Sequence, residues 1–425
     1  MTTESTHLDE PSKDQRLSRR RVLLRGTAAT MAAGIAGYAV AAHERPVTFP
    51  ADAGQAQSSR SGTQSAAGMV TVSARGSRQA GVDRPVQPQQ HLALSVYDLS
   101  GAGQPVTPGA AFAHRTADLV AGLGRRVLAL TKEDDAALSG LLPGDLTITV
   151  GVGPRVVAAV DSGLPGAAEL PGFARENMPD SARGGDLMVQ VCASDPQVVT
   201  LADGALGTWL RGRSVAARWT QYGFRSPARP GPLGQPGPVR NLLGFLDGMV
   251  VPRTSRELAR EVWLPAPTGV RGGTIAVVRR LRLDLARFLA QDPGQQERAV
   301  GRRREDGAPL SGGGPETPLD LGAKSAHGRY LVPAMAHARR ASPNATGSGL
   351  MLRRGYSYAN GPDDRGLLFI CFQRELRTFV ATQQRLDDGD ELSGFATATA
   401  SGTFLVLPGF SAGQPLGASL FSGAV

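Results

Sequence analysis

The sequence predicts an α+β protein that contains the same fold twice, with an antiparallel β-sheet and flanking helices in each half. From about residue 72, short strand-like runs alternate with stretches of helical periodicity. The runs "GGDLMVQVCASD" and "DRGLLFICFQRE" resemble each other, and each has a cysteine at a matching place. The spacing from first to third strand also agrees, with 95 residues from Leu92 to Leu187 and 93 from Thr274 to Leu367. Two similar α+β halves follow from this pattern.

The first half is predicted to run strand, helix, strand, strand, strand. Its first strand alternates as a half-buried strand does, and its helix has apolar residues three and four positions apart. The predicted ranges are 91–99, 115–130, 146–153, 186–194 and 217–224.

The second half repeats this order, beginning with a strand that leads into a helix over 273–289. Proline and glycine collect at 226–239 and 263–273, which places the boundary between the halves in this region. We therefore predict an N-terminal domain over 72–240 and a C-terminal domain over 241–425, with a ligand cleft at or near their junction. The remaining predicted strands are 349–358, 365–373 and 401–410.

The first 42 residues are predicted to be a twin-arginine export signal. Arg19 and Arg20 precede a mildly apolar run of alanine and glycine, and Ala39 and Ala41 form an A-x-A cleavage pattern at its end. The run is too short and too weakly apolar for a stable membrane span. A basic tail followed by a chance alanine run is the alternative. We expect the twin-arginine machinery to export the protein to an extracellular, cell-envelope or periplasmic location. Because that machinery moves folded proteins, the signal also favours a protein with a cofactor.

Residues 43–71 are rich in small and polar residues and are predicted to be a disordered linker.

The charge of the chain limits the kinds of partner that it could bind. The net charge is +9 and the pI is about 10.2, yet the chain has no basic helix with interleaved aromatics and no zinc-finger pattern. We therefore expect no nucleic acid as a partner. A homo-oligomer remains open.

Two cysteines, Cys192 and Cys371, lie inside apolar strand-like runs. No C-x-x-C occurs, which excludes cysteine zinc sites, iron–sulfur ligation and covalent C-x-x-C-H haem attachment. Two buried thiols are the favoured interpretation. A disulfide between them is the alternative and requires an oxidising compartment.

One carboxylate, Asp247, stands in the apolar run "NLLGFLDGMV" between Gly244 and Gly248. The glycines permit a tight turn and a close approach to a neighbour. The aspartate could simply cap this turn. It could equally serve chemistry, because an unpaired carboxylate in an apolar setting costs several kcal/mol, about the price of burying an unsatisfied polar group.

A histidine and an arginine pair are the other chemical candidates. His337 ends an apolar stretch in "YLVPAMAHARRASPN", and "LMLRRGYSY" follows sixteen residues later. Arg353 and Arg354 should point to opposite faces of a strand. One of them is then inward, where an arginine needs an anionic partner.

Several of these stretches together resemble the signature blocks of dye-decolourising peroxidases, most closely the exported branch. They are "RNLLGFLDG", "AHARRASPN", "LMLRRGYSY" and "GLLFICFQRELRTFV", with "GSRQAGV", "LTITVGVGP" and "GGDLMVQVCASDPQ" in the first half. The resemblance implies two ferredoxin-like halves and one haem b per chain, bound in the C-terminal half. Hydrogen peroxide and an organic reductant, such as a dye or a phenol, are then the substrates.

The resemblance also assigns roles to residues. His337 is the expected proximal ligand of the haem iron, with Asp390 or Glu391 as the acceptor for its second nitrogen. Asp247 is expected to move a proton of peroxide on the distal side, and Arg353 to stabilise the developing negative charge. The other expected haem-binding residues are Gly248, Met249, Val250, Ser342, Pro343 and Asn344 against the porphyrin, Arg339 as a propionate partner and Phe369 as a pocket wall.

Three functions remain open from the sequence. The first is a haem peroxidase, whose large reductants would be oxidised through the protein by aromatic relays. The second is iron acquisition, in which the protein binds haem and releases its iron as a deferrochelatase does. The third is a haem-binding protein without catalysis. Candidate relays, which could equally be core residues, are Trp209, Trp219, Trp263, Tyr330, Tyr356 and Tyr358.

Overall fold

The computed structural model describes residues 71–99, 109–133, 135–228 and 237–422. The predicted export signal and the predicted linker up to residue 70 lie outside the described residues. Among the described helices, none combines the length and the apolar character that a membrane crossing requires.

Strands form the centre of the molecule. In the described residues they are β1 (His91–Asp98), β2 (Thr147–Val152), β3 (Leu187–Ala193), β4 (Ala216–Phe224), β5 (Thr274–Leu283), β6 (Leu352–Arg353), β7 (Tyr356–Gly361), β8 (Asp364–Gln373) and β9 (Ala396–Val406).

Helices connect the strands and cover the outside of the sheet. The described ones are α1 (Ala110–Leu130), α2 (Pro154–Val160), α3 (Pro196–Arg211), α4 (Ser255–Glu261), α5 (Leu285–Leu289), α6 (Pro293–Val300), α7 (His337–Arg340), α8 (Pro343–Thr346), α9 (Leu376–Asp387) and α10 (Ala418–Phe421).

The strand order confirms the duplicated α+β fold. The first half has the order β2-β3-β1-β4, and the second half has the order β7-β8-β5-β9, with every pair antiparallel. The two-residue β6 pairs only with β8 and is left out of this comparison. Counted within each half without it, both orders are second, third, first, fourth strand. The two cysteine-bearing runs that resemble each other are then the third strands, β3 and β8.

The two sheets join into one closed barrel, which the sequence did not reveal. β2 pairs with β9 at Gly151 and Val152, and β4 pairs with β7 at Phe224 and Ser357. Sequence patterns report which residues face a core, but they carry no information about which sheet edges meet. The halves therefore share a continuous hydrogen-bonded sheet.

Side chains reinforce both junctions. At the β2–β9 junction, Gln79 donates to the carbonyl oxygens of Val150 and Leu407 at 2.7 and 2.9 Å and accepts from the Val150 N–H at 2.9 Å. Near the β4–β7 junction, Gln221 and Asn360 exchange two amide hydrogen bonds of 3.0 and 3.1 Å. Each junction thus adds side-chain hydrogen bonds to a short strand pairing.

Alternation along β8 separates the barrel interior from the outer face of the second half. Leu368, Ile370 and Phe372 lie in the interior cluster, whereas Phe369 and Cys371 belong to a cluster on the outer face. The equivalent outer face of the first half is covered by α1 and α3. On the second half, α9 packs against β5 and β8 on that face.

Most predicted elements are confirmed, with three differences. The predicted strand 349–358 is split into β6 and β7 at Arg354 and Gly355, and the last strand begins at Ala396 rather than at residue 401. Of the described helices, the sequence analysis predicted only α1 and α5, so the long α3 and α9 were omitted together with the shorter ones. The start of α3 carries ordinary signals, since Asp195 caps it by accepting from the Gln197 N–H and Pro196 is its first residue.

Both cysteines are free and buried. Cys192 lies in the barrel interior, and Cys371 lies in the cluster on the outer face of the second half. Because the sheet separates these two clusters, the structure favours two buried thiols over a disulfide.

Candidate active site

His337 begins α7, a single helical turn in the long connection between β5 and β6. Its Nδ1 lies 2.9 Å from Oδ2 of Asp390, and 38% of its side-chain surface is accessible. Because an ionised carboxylate can only accept, Nδ1 carries a proton, and in the neutral ring Nε2 keeps its lone pair. Among the described residues, none forms a hydrogen bond with Nε2. The imidazole is therefore held in one orientation, with Nε2 free to bind a metal ion.

Asp390 is held in place by the turn that follows α9. Its side chain is fully buried, and both the N–H and the hydroxyl of Ser393 donate to Oδ2. Burial alone would raise the pKa of the Asp390 carboxyl, but His337 and Ser393 hold it below its ordinary value. Of the two acceptors left open by the sequence, Asp390 is the one that contacts His337. The contact of Glu391 in this region is a backbone bond to Met335.

The same pair controls the charge of His337. Burial alone would lower the pKa of the imidazole, but the Asp390 carboxylate raises it above its ordinary value. Two further charges act on the imidazole, since Arg353 lowers its pKa and Asp247 raises it. The three residues that the sequence singled out for chemistry are therefore close enough in space to influence one another.

Asp247 occupies the predicted glycine turn, in which Gly244 and Gly248 both adopt positive φ, at 84° and 74°. One carboxylate oxygen, Oδ1, accepts from the Gly248 N–H at 2.7 Å, so the turn-capping interpretation holds for that atom. The other oxygen, Oδ2, accepts no hydrogen bond from the residues that the structure describes. Asp247 also lines a small pocket with Arg225 and Tyr356. One oxygen is thus structural, and the second is available for chemistry.

The two adjacent arginines do point to opposite faces. Arg353 pairs with Cys371 and is half-buried on the outer face of the sheet. Arg354 is 4% exposed and donates to the carbonyl oxygens of Pro85 and Val86. The expectation of an anionic partner for the inward arginine is wrong, because backbone carbonyls take that place. Burial accordingly lowers the pKa of Arg354.

The remaining predicted haem-binding residues lie in two segments of the chain, one after Asp247 and one after α7, and on β8. Gly248, Met249 and Val250 continue the Asp247 turn, and 40% of Val250 is exposed. Ser342 and Pro343 begin α8 just after α7. Asn344 is exposed in the same helix, and Phe369 projects from β8 toward Phe379 with 6.0 Å between the ring centroids. Their contacts with a porphyrin stay predictions.

Arg339 is bound to the protein itself. Its guanidinium donates to the carbonyl oxygens of Leu321 and Val332 and stacks on Tyr330 at 4.6 Å. These bonds fasten the preceding loop to α7. The propionate contact expected for Arg339 stays a prediction.

The residues present fit a haem iron. A metal held by protein alone needs several ligands, and no group of three or more His, Cys, Asp or Glu side chains in the described part of the chain could hold one. A porphyrin supplies four nitrogen ligands, so one imidazole with a free Nε2 and a carboxylate behind it is a sufficient donor set. A Cβ added at Gly248 meets no described atom within 4 Å, which leaves open space beside the Asp247 turn.

The sequence analysis missed two residues that support the site. Ser393 fixes Asp390, and its position three residues after that carboxylate was the available signal. Arg225, which follows β4, lines the Asp247 pocket and donates to the carbonyl oxygen of Gly355 at 2.6 Å. No local pattern could have found Arg225, because the β4–β7 junction brings it to the second half.

Comparison with known proteins is consistent with this site. A family model described as "Dyp-type peroxidase, N-terminal" matches residues 105–225, and one described as "Dyp-type peroxidase, C-terminal" matches residues 238–411. A dye-decolorizing peroxidase of Thermobifida fusca is 33% identical over 98% of this chain and 100% of its own length. A deferrochelatase of Yersinia pestis is 33% identical over 65% of this chain and 67% of its own length.

A solved structure extends the comparison to the fold. A DyP-type peroxidase from Streptomyces coelicolor superimposes with a TM-score of 0.74 and 32% identity, over 83% of this chain and 97% of that one. The two family models match the two halves of the barrel in their order along the chain. Since a full-length relative agrees with both matches, this chain belongs to the Dyp-type peroxidase family.

Proposed function

We propose that this protein is a haem-dependent peroxidase that reduces hydrogen peroxide and oxidises dyes, phenols or similar reductants. The observation that carries the proposal is the His337–Asp390 pair, with a free Nε2 and with Arg353 and Asp247 acting on the same imidazole. Family membership supplies the activity and the cofactor, and the residues present fit that cofactor.

His337 would hold the iron through Nε2, and Asp390 would fix the tautomer and increase the electron density that the imidazole donates. The segments 248–250 and 342–344 would contact the porphyrin. Bound haem would supply the redox chemistry of peroxide reduction and reductant oxidation.

Asp247 and Arg353 act on peroxide. The free Oδ2 of Asp247 takes a proton from one peroxide oxygen and returns it to the other, which then leaves as water. Arg353 stabilises the negative charge that develops as the O–O bond breaks. Oδ1 stays bound to Gly248 throughout and keeps the carboxylate aimed.

The test is a visible absorption spectrum of the haem-loaded protein before and after one equivalent of peroxide. We expect a Soret band that changes with peroxide, loss of that band in His337→Ala, and a slow peroxide reaction in both Asp247→Asn and Arg353→Leu. An unaltered Soret band in His337→Ala contradicts the ligand assignment. Unaltered peroxide kinetics in both distal variants contradict the roles of Asp247 and Arg353.

Iron release from haem is the second candidate, because one relative with 33% identity is named a deferrochelatase. The peroxidase function comes first, because the relative matched over its full length is named a dye-decolorizing peroxidase. Incubating the haem-loaded protein with an iron chelator and a reductant separates the two. Iron recovered together with intact protoporphyrin supports the second function, and dye turnover with peroxide supports the first.

We also propose that the protein leaves the cytoplasm through the twin-arginine machinery. Support comes from Arg19 and Arg20 before the alanine-rich run and from the A-x-A pattern. Fused to a folded reporter, residues 1–45 should direct export, and Arg19→Lys with Arg20→Lys should block it. Arg21→Lys is the matched control, because it leaves the arginine pair intact. Export by the double variant at the parent level contradicts the proposal.

A further inference from the structure

Two tyrosines of nearly equal exposure have opposite surroundings. Among the described residues, Tyr222 is 48% exposed and Tyr330 is 47% exposed, while the other tyrosines are buried. The Tyr222 hydroxyl donates to Oδ2 of Asp203 at 2.8 Å. Tyr330 stacks between Lys324 and Arg339, at 4.9 and 4.6 Å from its ring centroid. One phenol thus has a carboxylate beside it, and the other has two cations.

These surroundings set how easily each ring loses an electron. Electron loss makes a phenol strongly acidic, so a base already hydrogen-bonded to the hydroxyl lowers the cost by taking the proton. Two cations stacked on a ring raise the cost, because they repel the positive charge that electron loss creates. Tyr222 is therefore the exposed tyrosine that oxidises more easily.

Asp203 is well placed as the base. It is 8% exposed on α3, and its Oδ1 accepts from the Ser95 hydroxyl at 3.0 Å, which leaves Oδ2 for Tyr222. Burial and the contact with Asp203 raise the pKa of Tyr222 to about 12, so the phenol holds its proton at neutral pH. The pair thus rests with the proton on the tyrosine.

Tyr222 is also connected to the site of peroxide chemistry. It shares one face of β4 with Phe224, two residues further along the strand. Phe224, itself 39% exposed, lines the same pocket as Asp247. Tyr222 therefore lies two residues from the wall of the Asp247 pocket, on the same face of β4.

We propose that Tyr222 is the surface residue at which phenols and dyes too large for the Asp247 pocket are oxidised, with Asp203 as the acceptor of its proton. The inference rests on the proposed peroxidase function. One electron leaves Tyr222 for the peroxide-oxidised centre, and the phenolic proton moves to Asp203, which leaves a neutral phenoxyl radical. The reductant then gives one electron to the radical, and the proton returns from Asp203. Two such cycles consume the oxidising equivalents of one peroxide.

The first experiment maps the radical in the haem-loaded protein. Peroxide is added with the spin trap 2-methyl-2-nitrosopropane, and the adduct is located by peptide mass spectrometry. We expect the adduct on Tyr222 in the parent, its loss in Tyr222→Phe, and formation about 100-fold slower in Asp203→Asn, the lower end of what a positioned base contributes. Oxidation of a bulky anthraquinone dye should fall in both variants more than oxidation of a small phenol. Tyr330 was a candidate relay from the sequence, but the two cations on its ring disfavour its oxidation. Tyr330→Phe is therefore the matched comparison at an equally exposed tyrosine, and dye oxidation should stay at the parent level.

A second arm separates this inference from the proposed function. The haem-free protein is oxidised with light, a ruthenium tris-bipyridine complex and persulfate, so that no haem is required. The adduct should again favour Tyr222 over Tyr330, and Asp203→Asn should remove that preference. Equal labelling of the two tyrosines, or dye oxidation that survives Tyr222→Phe, overturns the inference. A parent that never reacts with peroxide overturns the proposed function instead.

Discussion

The contact between His337 and Asp390 determines what the imidazole can bind. A carboxylate against Nδ1 leaves only Nε2 with a lone pair, so the ring presents one donor in one direction. Ser393 fixes the carboxylate in turn, and the whole chain of contacts is set by the turn after α9. A ligand with this support donates more electron density than a histidine that is hydrogen-bonded to water.

Replacing Asp390 by asparagine should therefore lower the activity of the site but leave haem bound. The amide can still accept from Nδ1, but it lacks the negative charge. We expect peroxide turnover to fall about 10- to 100-fold and the iron midpoint potential to rise. Redox titration followed by the Soret band measures the second effect. Glu391→Gln is the control, because Glu391 does not contact His337, and an equal shift in that variant would contradict the assignment.

The rate of reaction with peroxide at acidic pH tests whether Asp247 is the proton carrier. An ordinary aspartate has a pKa of about 3.9 and an ordinary histidine about 6.5, and a base works only when it is unprotonated. A carboxylate base therefore keeps working as the pH falls below about 6, where a histidine base becomes protonated. Stopped-flow mixing with peroxide should show a reaction rate that persists through this range. A steep loss of rate below about pH 6 would implicate a histidine.

At the residue scale, the sequence predicted the identity of the site better than its supports. His337, Asp247 and Arg353 were singled out because signature blocks keep chemical residues at recognisable places, and the structure brings the three within electrostatic reach of one another. The choice of Asp390 over Glu391 depends on the direction of a turn, and no periodicity encodes that. Arg339 shows the same limit, because its bonds to Leu321 and Val332 cross a loop whose path only the folded chain defines.

At the scale of elements, the strands were predictable and their junctions were not. Alternation predicted β1, and short apolar runs predicted β3 and β8. The β2–β9 junction depends on Gln79, which lies in an irregular segment before β1 and gives no strand signal. Gly81 follows it with φ 89°, and a Cβ there would lie 2.2 Å from Thr149 Oγ1. Only glycine lets this segment approach the barrel so closely.

Loss of the Gln79 side chain should therefore destabilise the whole protein. Gln79→Ala leaves the buried Val150 N–H without its acceptor, and each such group costs about 1–3 kcal/mol. Urea unfolding of the haem-free protein should show a lower free energy of unfolding by this amount. Gln197→Ala, an exposed glutamine on α3, should leave the stability close to that of the parent. Equal stability of the two variants would show that Gln79 does not hold the junction.

At the scale of the whole molecule, duplication places one cysteine in each third strand and gives both thiols a dry environment. Burial raises the pKa of Cys192 to about 11, and it raises the pKa of Cys371 further. Since the thiolate is the reactive form, neither cysteine should react at neutral pH. The alternative of a disulfide is disfavoured by geometry, because the barrel wall separates the clusters that contain the two cysteines.

Iodoacetamide labelling checks this expectation. At neutral pH the native protein should keep its unlabelled mass, and in concentrated guanidinium chloride without reductant it should gain two labels. The two labels follow because both thiols are free and become accessible once the barrel unfolds. Labelling of the native protein would show that one thiol is accessible. An unfolded protein that takes no label without reductant would show a disulfide.

The two junctions of the barrel differ in how they resist thermal motion. The β4–β7 junction has one aligned residue pair, Phe224 with Ser357, and beyond it the strands are linked by the Gln221–Asn360 amides. Local opening begins where the fewest backbone hydrogen bonds must break, so this junction should open transiently more often than the rest of the barrel. Phe224 and Ser357 also line the Asp247 pocket. The barrel junction with the fewest aligned residue pairs is therefore also part of the wall of the Asp247 pocket.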